Sequence, residues 1–223
     1  MPKSTFLNLP PEKRRRIIEL ATDEFAANTY HSASLSRIVE RAGIAKGSIY
    51  QYFEGKLDLY VYVLKTAAEV KLAAIAEEMA RLGPAPGVFD MLRAAVRGGF
   101  ELARRNPKLT AIATNFVRER DPEVVGAVTG ELVPAGEAVL DEWFAAAARR
   151  GELAPGISPP AARLAYFALG NAVNEELASG RLTLDEAGKL WSEMIDILEF
   201  GLRPRAGTAA AGGPGPGDRR ERS

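Results

Sequence analysis

Lys46, Ser48, Tyr50, Gln51 and Tyr52 stand close together, and their side chains offer hydrogen-bond donors and acceptors rather than a face for a core. Lysine can pair with the acceptors of guanine and glutamine with adenine, while hydroxyls reach phosphate oxygens. The segment therefore carries the chemistry of a nucleic-acid reader. Gly47 beside Ser48 would let the backbone approach a partner closely. Only Ile49 and Phe53 mark a side to be buried. The same residues would also make a solvated face on a small helix, and the segment by itself leaves both readings open.

The elements that must position these residues are legible around them. Leu35, Ile38, Val39 and Ala42 recur at helical spacing, and Ser34 stands where an N-cap is needed. Gly43 breaks the pattern, as a left-handed helix exit requires, and Ile44 gives the turn an apolar anchor. A second short helix follows over residues 46–52. Two short helices joined by a glycine-led turn form a helix-turn-helix, whose second helix can enter the major groove.

Phe25, Tyr30, the helix led by Ser34, the run AGIAKGSIYQYF and Lys56-Leu57-Asp58-Leu59 together resemble the DNA-binding domain of the TetR family of bacterial regulators, over roughly residues 10–64. From about residue 84 onward only the helical layout and the length fit that family. By position, the resemblance implies phosphate contacts from Ser34, Tyr50, Tyr52 and Lys56. It implies base-edge contacts from Ser36, Lys46, Gly47, Ser48 and Gln51. Tyr50 has the alternative of a core residue with only its hydroxyl exposed. Val39 stands where the family usually has a smaller Ala, which leaves the angle between the two helices open. Gln51-Tyr52 replaces a frequent aromatic-His pair, which leaves the operator open.

Other chemistries find little to work with. The absence of Cys excludes disulfides, thiolate metal sites and a Cys nucleophile. His31 is the only histidine and reads as a turn residue, so neither a metal nor a cofactor is expected. There is no phosphate-cradling glycine loop and no G-x-S-x-G, and the acid pairs Glu77-Glu78 and Glu175-Glu176 read as helix surface. No apolar run approaches the roughly 20 residues that span a bilayer, and residues 1–11 lack a signal-peptide h-region. A cytoplasmic protein with no membrane partner is the expectation.

The net charge of zero divides unevenly along the chain. Residues 1–56 hold 9 Lys+Arg against 6 Asp+Glu, residues 57–202 hold 15 against 21, and residues 203–223 hold 5 against 2. A basic head on an acidic body would turn the head toward phosphate. Lys13-Arg14-Arg15-Arg16 at the start of the first helix could contact phosphates or simply be solvated.

The fold expected is all-α: an N-terminal three-helix helix-turn-helix domain, then a helical ligand-binding and dimerisation domain. Residues 1–56 form the head, with the start of a linking helix to about residue 64. Residues 57–202 form the body, and 203–223, rich in Gly, Pro, Ala and Arg, a disordered tail. Residues 1–9 read as a mobile arm. Helices are predicted from Pro10-Pro11 to Asn28, then over 57–82 and 88–105. Asn106-Pro107, Asp121-Pro122 and Ser158-Pro159 each pair an N-cap with a first-turn proline, opening helices over 107–118, 122–150 and 159–178. The second of these has a potential break at Pro134-Ala135-Gly136. Thr183 and Glu186 make a capping box for a last helix to Leu202.

One such head reads few base pairs, so specific binding needs two, about 34–36 Å apart on one DNA face. The last two helices offer Leu164, Phe167 and Asn171, and Leu190, Trp191, Met194, Ile195 and Leu198, as a homodimer face; the alternative is that they complete the monomer's core. The resemblance implies a ligand pocket in the body, for which Phe89, Phe100, Phe116, Trp143, Phe144 and Tyr166 are candidates, with Asn115 and Asn174 as polar anchors. The function expected is a dimeric repressor on palindromic double-stranded DNA, released by an apolar or amphipathic effector. The alternatives are a non-specific architectural DNA binder, and an all-helical enzyme or carrier with a vestigial head.

Overall fold

Proline tolerates the first turn of a helix because its missing N–H would be unpaired there anyway, and four helices among the described residues begin that way. The computed structural model describes residues 2–203, so the predicted tail lies, from residue 204 on, outside the described residues. In order the elements are α1 (Ser4–Leu7), α2 (Pro11–Ala27), α3 (Leu35–Ala42), α4 (Ser48–Tyr52), α5 (Lys56–Met79), α6 (Val88–Arg105), α7 (Pro107–Val117), α8 (Pro122–Arg149), α9 (Pro159–Ala178) and α10 (Leu184–Leu202). No strand occurs among the described residues, and no described helix is long and apolar enough to cross a membrane.

Local capping sets most boundaries. Asp121 accepts from the Glu123 N–H at 2.9 Å, and Ser158 from the Ala161 N–H at 3.4 Å. Thr183 and Glu186 form the reciprocal capping box, with bonds of 3.3 and 2.8 Å. Asn106 departs from the expected N-cap role, since its side-chain amide donates back to the Leu102 carbonyl at 3.2 Å. A single residue separates α6 from Pro107, and it serves the end of the preceding helix instead. The potential break near Pro134 is absent. The exposed face carrying Pro134, Ala135 and Gly136 leaves the carbonyl that lost its donor open to water, so α8 continues as one element.

The buried apolar residues gather into two clusters. The first joins Phe6, Ile17, Leu20, Phe25, Ile38, Val39, Ile49 and Phe53 to Leu59–Leu64 of α5, and draws in Ile112, Val124 and Val128 from α7 and α8. The second, in the body, contains Phe89, Leu92, Phe100, Phe144, Tyr166 and Ile195. The expected mobile arm proves to be ordered structure: α1 packs in the first cluster, with Phe6 wholly buried. An aromatic side chain near a terminus finds a site where a polar one would remain solvated.

Helix α5 leaves the first cluster and crosses α6 closely at Gly98. A methyl group there would lie 2.9 Å from both the Ala74 carbonyl oxygen and the Ile75 Cα, and neither backbone atom can rotate away. Gly98→Ala should therefore cost about 1–3 kcal/mol and lower Tm by roughly 3–10 °C. Thermal unfolding followed by circular dichroism measures this, and an unchanged Tm would contradict so close a crossing.

Candidate nucleic-acid interface

The turn between α3 and α4 is built from local bonds. Ser34 accepts from the Arg37 N–H at 3.4 Å and so caps α3. Gly43 leaves the helix with φ 64°, a left-handed conformation that a side chain would strain. The Ile44 N–H then closes onto the Val39 carbonyl at 3.1 Å, and the Ser48 N–H onto that of Ala45 at 2.8 Å. Val39 is accommodated in the core beneath this turn, with 4% of its surface exposed.

Beneath α4 lie Ile49 and Phe53, both fully buried, so its other side faces outward. Ser36, Lys46, Gly47, Tyr50 and Gln51 are exposed on this surface, with Ser34 and Ser48 half-buried among them. Tyr50 has 52% of its surface exposed, which removes the alternative of a core ring. Tyr52 requires correction. Its ring is only 7% exposed and packs 5.9 Å from that of Phe6, because position 52 shares a helix face with Ile49 and Phe53. Lys56, read from the sequence as a phosphate contact, donates to the carbonyls of His31 and Ala33 at 3.1 and 3.2 Å. Its ammonium also lies 4.6 Å from the centre of the Tyr30 ring. In this structure it braces the loop that leads into α3.

Sequence reasoning passed over Glu24, the one charged residue buried among those described. Its carboxylate accepts from the Ser34 N–H at 2.8 Å and from Arg37 Nε at 2.9 Å, which ties the start of α3 to α2. Burial pushes its pKa up, but the bonds from Arg37 and Ser34 outweigh burial and hold the carboxyl below its ordinary value. A signal existed: position 24 falls in the apolar stripe of Ile17, Leu20, Ala21 and Phe25, where an acid demands a partner.

The head is held to the body by polar struts. Asp23 pairs with Lys108 of α7 and with Arg41 of α3, and these cations, Lys108 foremost, keep its carboxyl below the usual range against the effect of burial. Asn115 Nδ2 donates to the carbonyls of Phe25 and Asn28 at 3.2 and 3.3 Å. His31 Nε2 lies 3.5 Å from Asp121 and 3.7 Å from Glu119.

These contacts revise the expected pocket. Asn115 is a strut of the head–body junction, and Phe116 packs on the first cluster rather than the second. Phe89, Phe100, Phe144 and Tyr166 are buried in the second cluster, with Trp143 packed against it and Asn174 half-buried on α9. The eight residues thus do not converge on one space. Two open clefts, of about 450 and 620 Å³, are lined by none of them. Burial pushes the Tyr166 phenol up to about 12, so it stays a neutral donor at any ordinary pH.

The expected dimer face also changes. Ile195 and Leu198 are buried in their own protomer's core, and Leu190, Trp191 and Met194 pack against it. Trp191 lies flat enough on α9 that a methyl group at Gly170 would sit 2.5 Å from its ring. The outward face of α10 carries instead Ile197 and Phe200, 68% and 82% exposed, and Leu164 of α9 is 66% exposed. Phe167 is half-buried and Asn171 exposed on α9.

Comparison with known proteins places this geometry. The sequence pattern of "Bacterial regulatory proteins, tetR family" matches residues 17–63, which run from α2 into α5. The solved structure of a TetR family transcriptional regulator from Chloroflexus aurantiacus is 32% identical and covers 92% of this chain and 100% of its own, with a TM-score of 0.58. The Escherichia coli regulator RutR is 27% identical over 64% of this chain, which spans 65% of RutR's length. The Bacillus subtilis regulator FadR, solved in complex with stearoyl-CoA, shares the fold at a TM-score of 0.69 and 20% identity, over 84% of this chain and 98% of its own.

Glu24 makes the head's stability depend on acid. A carboxyl whose folded pKa is depressed stabilises in full above its unfolded pKa, about 4.3, and loses that contribution as pH falls through the folded value. Glu24→Gln should cost about 1–3 kcal/mol at pH 7, and the gap from the parent should shrink below pH 4. Urea unfolding at both pH values decides this, and a gap independent of pH would refute the assignment.

Proposed function

The chain belongs to the TetR family of bacterial transcriptional regulators, and from that premise we propose that it is a sequence-specific DNA-binding regulator, a repressor that binds a palindromic operator as a homodimer and is released by a small apolar or amphipathic ligand. The observation that carries this reading is the outward polar surface of α3 and α4 seated on buried Ile49 and Phe53. Such an arrangement gives up the core value of the outer face and leaves groups free for base edges and phosphates. In this reading residues 1–56 are the head and 57–202 the body. Ser36, Lys46, Gly47, Ser48 and Gln51 face bases. Ser34 and Tyr50 meet phosphates, with the remaining N–H of Lys56 beside them.

Two heads need a dimer, and the apolar residues left outside the core supply its face. Leu164, Ile197 and Phe200 are large, carried on the last two helices, which pack on each other, and mostly exposed, which is the condition of a surface that meets another copy. The effector's class follows from FadR, whose stearoyl-CoA joins a long acyl chain to a polar group, and from the aromatic second cluster of the body. An effector that prefers one body conformation shifts DNA binding by that difference in affinity alone, so effector and DNA weaken each other equally.

Selection of genomic fragments by the purified protein at physiological salt tests the reading. A palindromic motif preferred by about a thousandfold or more is expected, whereas salt-steep retention without a motif would mean a non-specific binder. Gln51→Ala should then relax preference at one or two base positions, by about 1–3 kcal/mol at each, and an unchanged motif would remove Gln51 from the readers. Phe200→Glu should yield a folded monomer by sedimentation, because the side chain it replaces lies outside the protomer's core. A dimer that survives the substitution would place the interface elsewhere.

A further inference from the structure

The last carbonyls of any helix have no amide partner within the element, and in a helix as short as α4 they are most of its backbone acceptors. The Ile49 carbonyl receives the Phe53 N–H at 2.8 Å. The next three are taken by the N-terminal segment. Lys3 Nζ donates to the Tyr50 carbonyl at 3.0 Å, Thr5 Oγ1 to that of Gln51, and the Lys3 backbone N–H to that of Tyr52 at 2.8 Å. Lys3 also pairs with Glu54 at 3.1 Å, just beyond the helix. Phe6 sits behind these bonds, its ring centre 4.8 Å from that of Phe53, 5.9 Å from Tyr52 and 5.7 Å from Tyr62 of α5. Bonds therefore hold the end of α4, and an aromatic wedge fixes its distance from the helix that enters the body.

We propose that Lys3, Thr5 and Phe6 are positioning residues that clamp α4 in the pose needed to discriminate DNA sequences. The proposal rests on the reading of α4 as the DNA-contacting helix. Base-edge hydrogen bonds weaken steeply with misalignment, whereas attraction to phosphate does not depend on the angle of one helix. A loosened clamp therefore lowers affinity for the preferred site and leaves affinity for random DNA intact. Residues 3–6 set specificity without touching a base.

The test uses the full chain and its Thr5→Ala, Phe6→Ala and Phe6→Leu variants. Two quantities are measured: amide hydrogen exchange over residues 49–54, and affinity for the selected fragment and for a random duplex of equal length across a salt series. In Thr5→Ala and Phe6→Ala, exchange at α4 should accelerate while α9 and α10 stay protected. Affinity for the selected fragment should fall about tenfold, with random-duplex affinity and its salt slope unchanged. Phe6→Leu, which keeps an apolar wedge, should recover most of the loss. Unaltered exchange at α4 would overturn the clamp, and so would equal losses on both DNAs or loosening of α4 with specificity intact. A parent that prefers no sequence would sink the functional reading instead, and the exchange comparison would still decide whether residues 3–6 hold α4.

Discussion

A helix of five residues cannot hold itself together in water, where even favourable sequences need about 12–15 residues. The element that faces outward with Ser48, Tyr50 and Gln51 therefore has to be assembled by the rest of the head. Ile49 and Phe53 anchor it from below, the left-handed Gly43 and the Ile44 bond set its entry, and the N-terminal segment takes up its last carbonyls. Glu24 and Arg37 fix α3 on α2, and Lys56 closes the loop that precedes α3. The head is a support for one short polar surface, which explains why it places a buried carboxylate beneath α3 and the packed rings of Phe6, Tyr52, Phe53 and Tyr62 at α4.

The same economy joins head to body. The first cluster is completed by Ile112, Val124 and Val128, so the head's apolar core is shared with α7 and α8. Asp23, Asn115 and His31 add polar contacts across the junction, and the long α5 runs from the first cluster to the close crossing at Gly98. A shift of α7 or α5 against the body must move the head or break these contacts. Packed interfaces of this kind shift between discrete arrangements rather than deforming continuously, so a displacement of α5 or α7 is carried to the head.

Much of this was legible in the chain itself. Caps and first-turn prolines act between residues two to four apart, so Asp121, Ser158 and Thr183 mark helix starts wherever the helices later pack. The turn at Gly43 and the buried positions Ile49 and Phe53 follow from spacing in the same way. Phe6 escaped because its wedge is closed by residues 52, 53 and 62, and no local pattern announces a partner so distant. Asn115 escaped for the same reason, its acceptors being carbonyls about 90 positions earlier.

The sequence by itself determined the order of the helices from α2 to α10, the helix-turn-helix and the chemistry of its outward face, because each depends on residues within a turn or two of one another. Only the tertiary structure decided which apolar faces were already satisfied. Leu190, Trp191, Met194, Ile195 and Leu198 turn inward on α10, and Ile197 and Phe200 remain outside, although both sets recur at helical spacing. Periodicity states which residues share a face. Which face meets the protomer's own core is set by the angle at which α10 lies on α9 and α6, and that angle is a property of the packed whole.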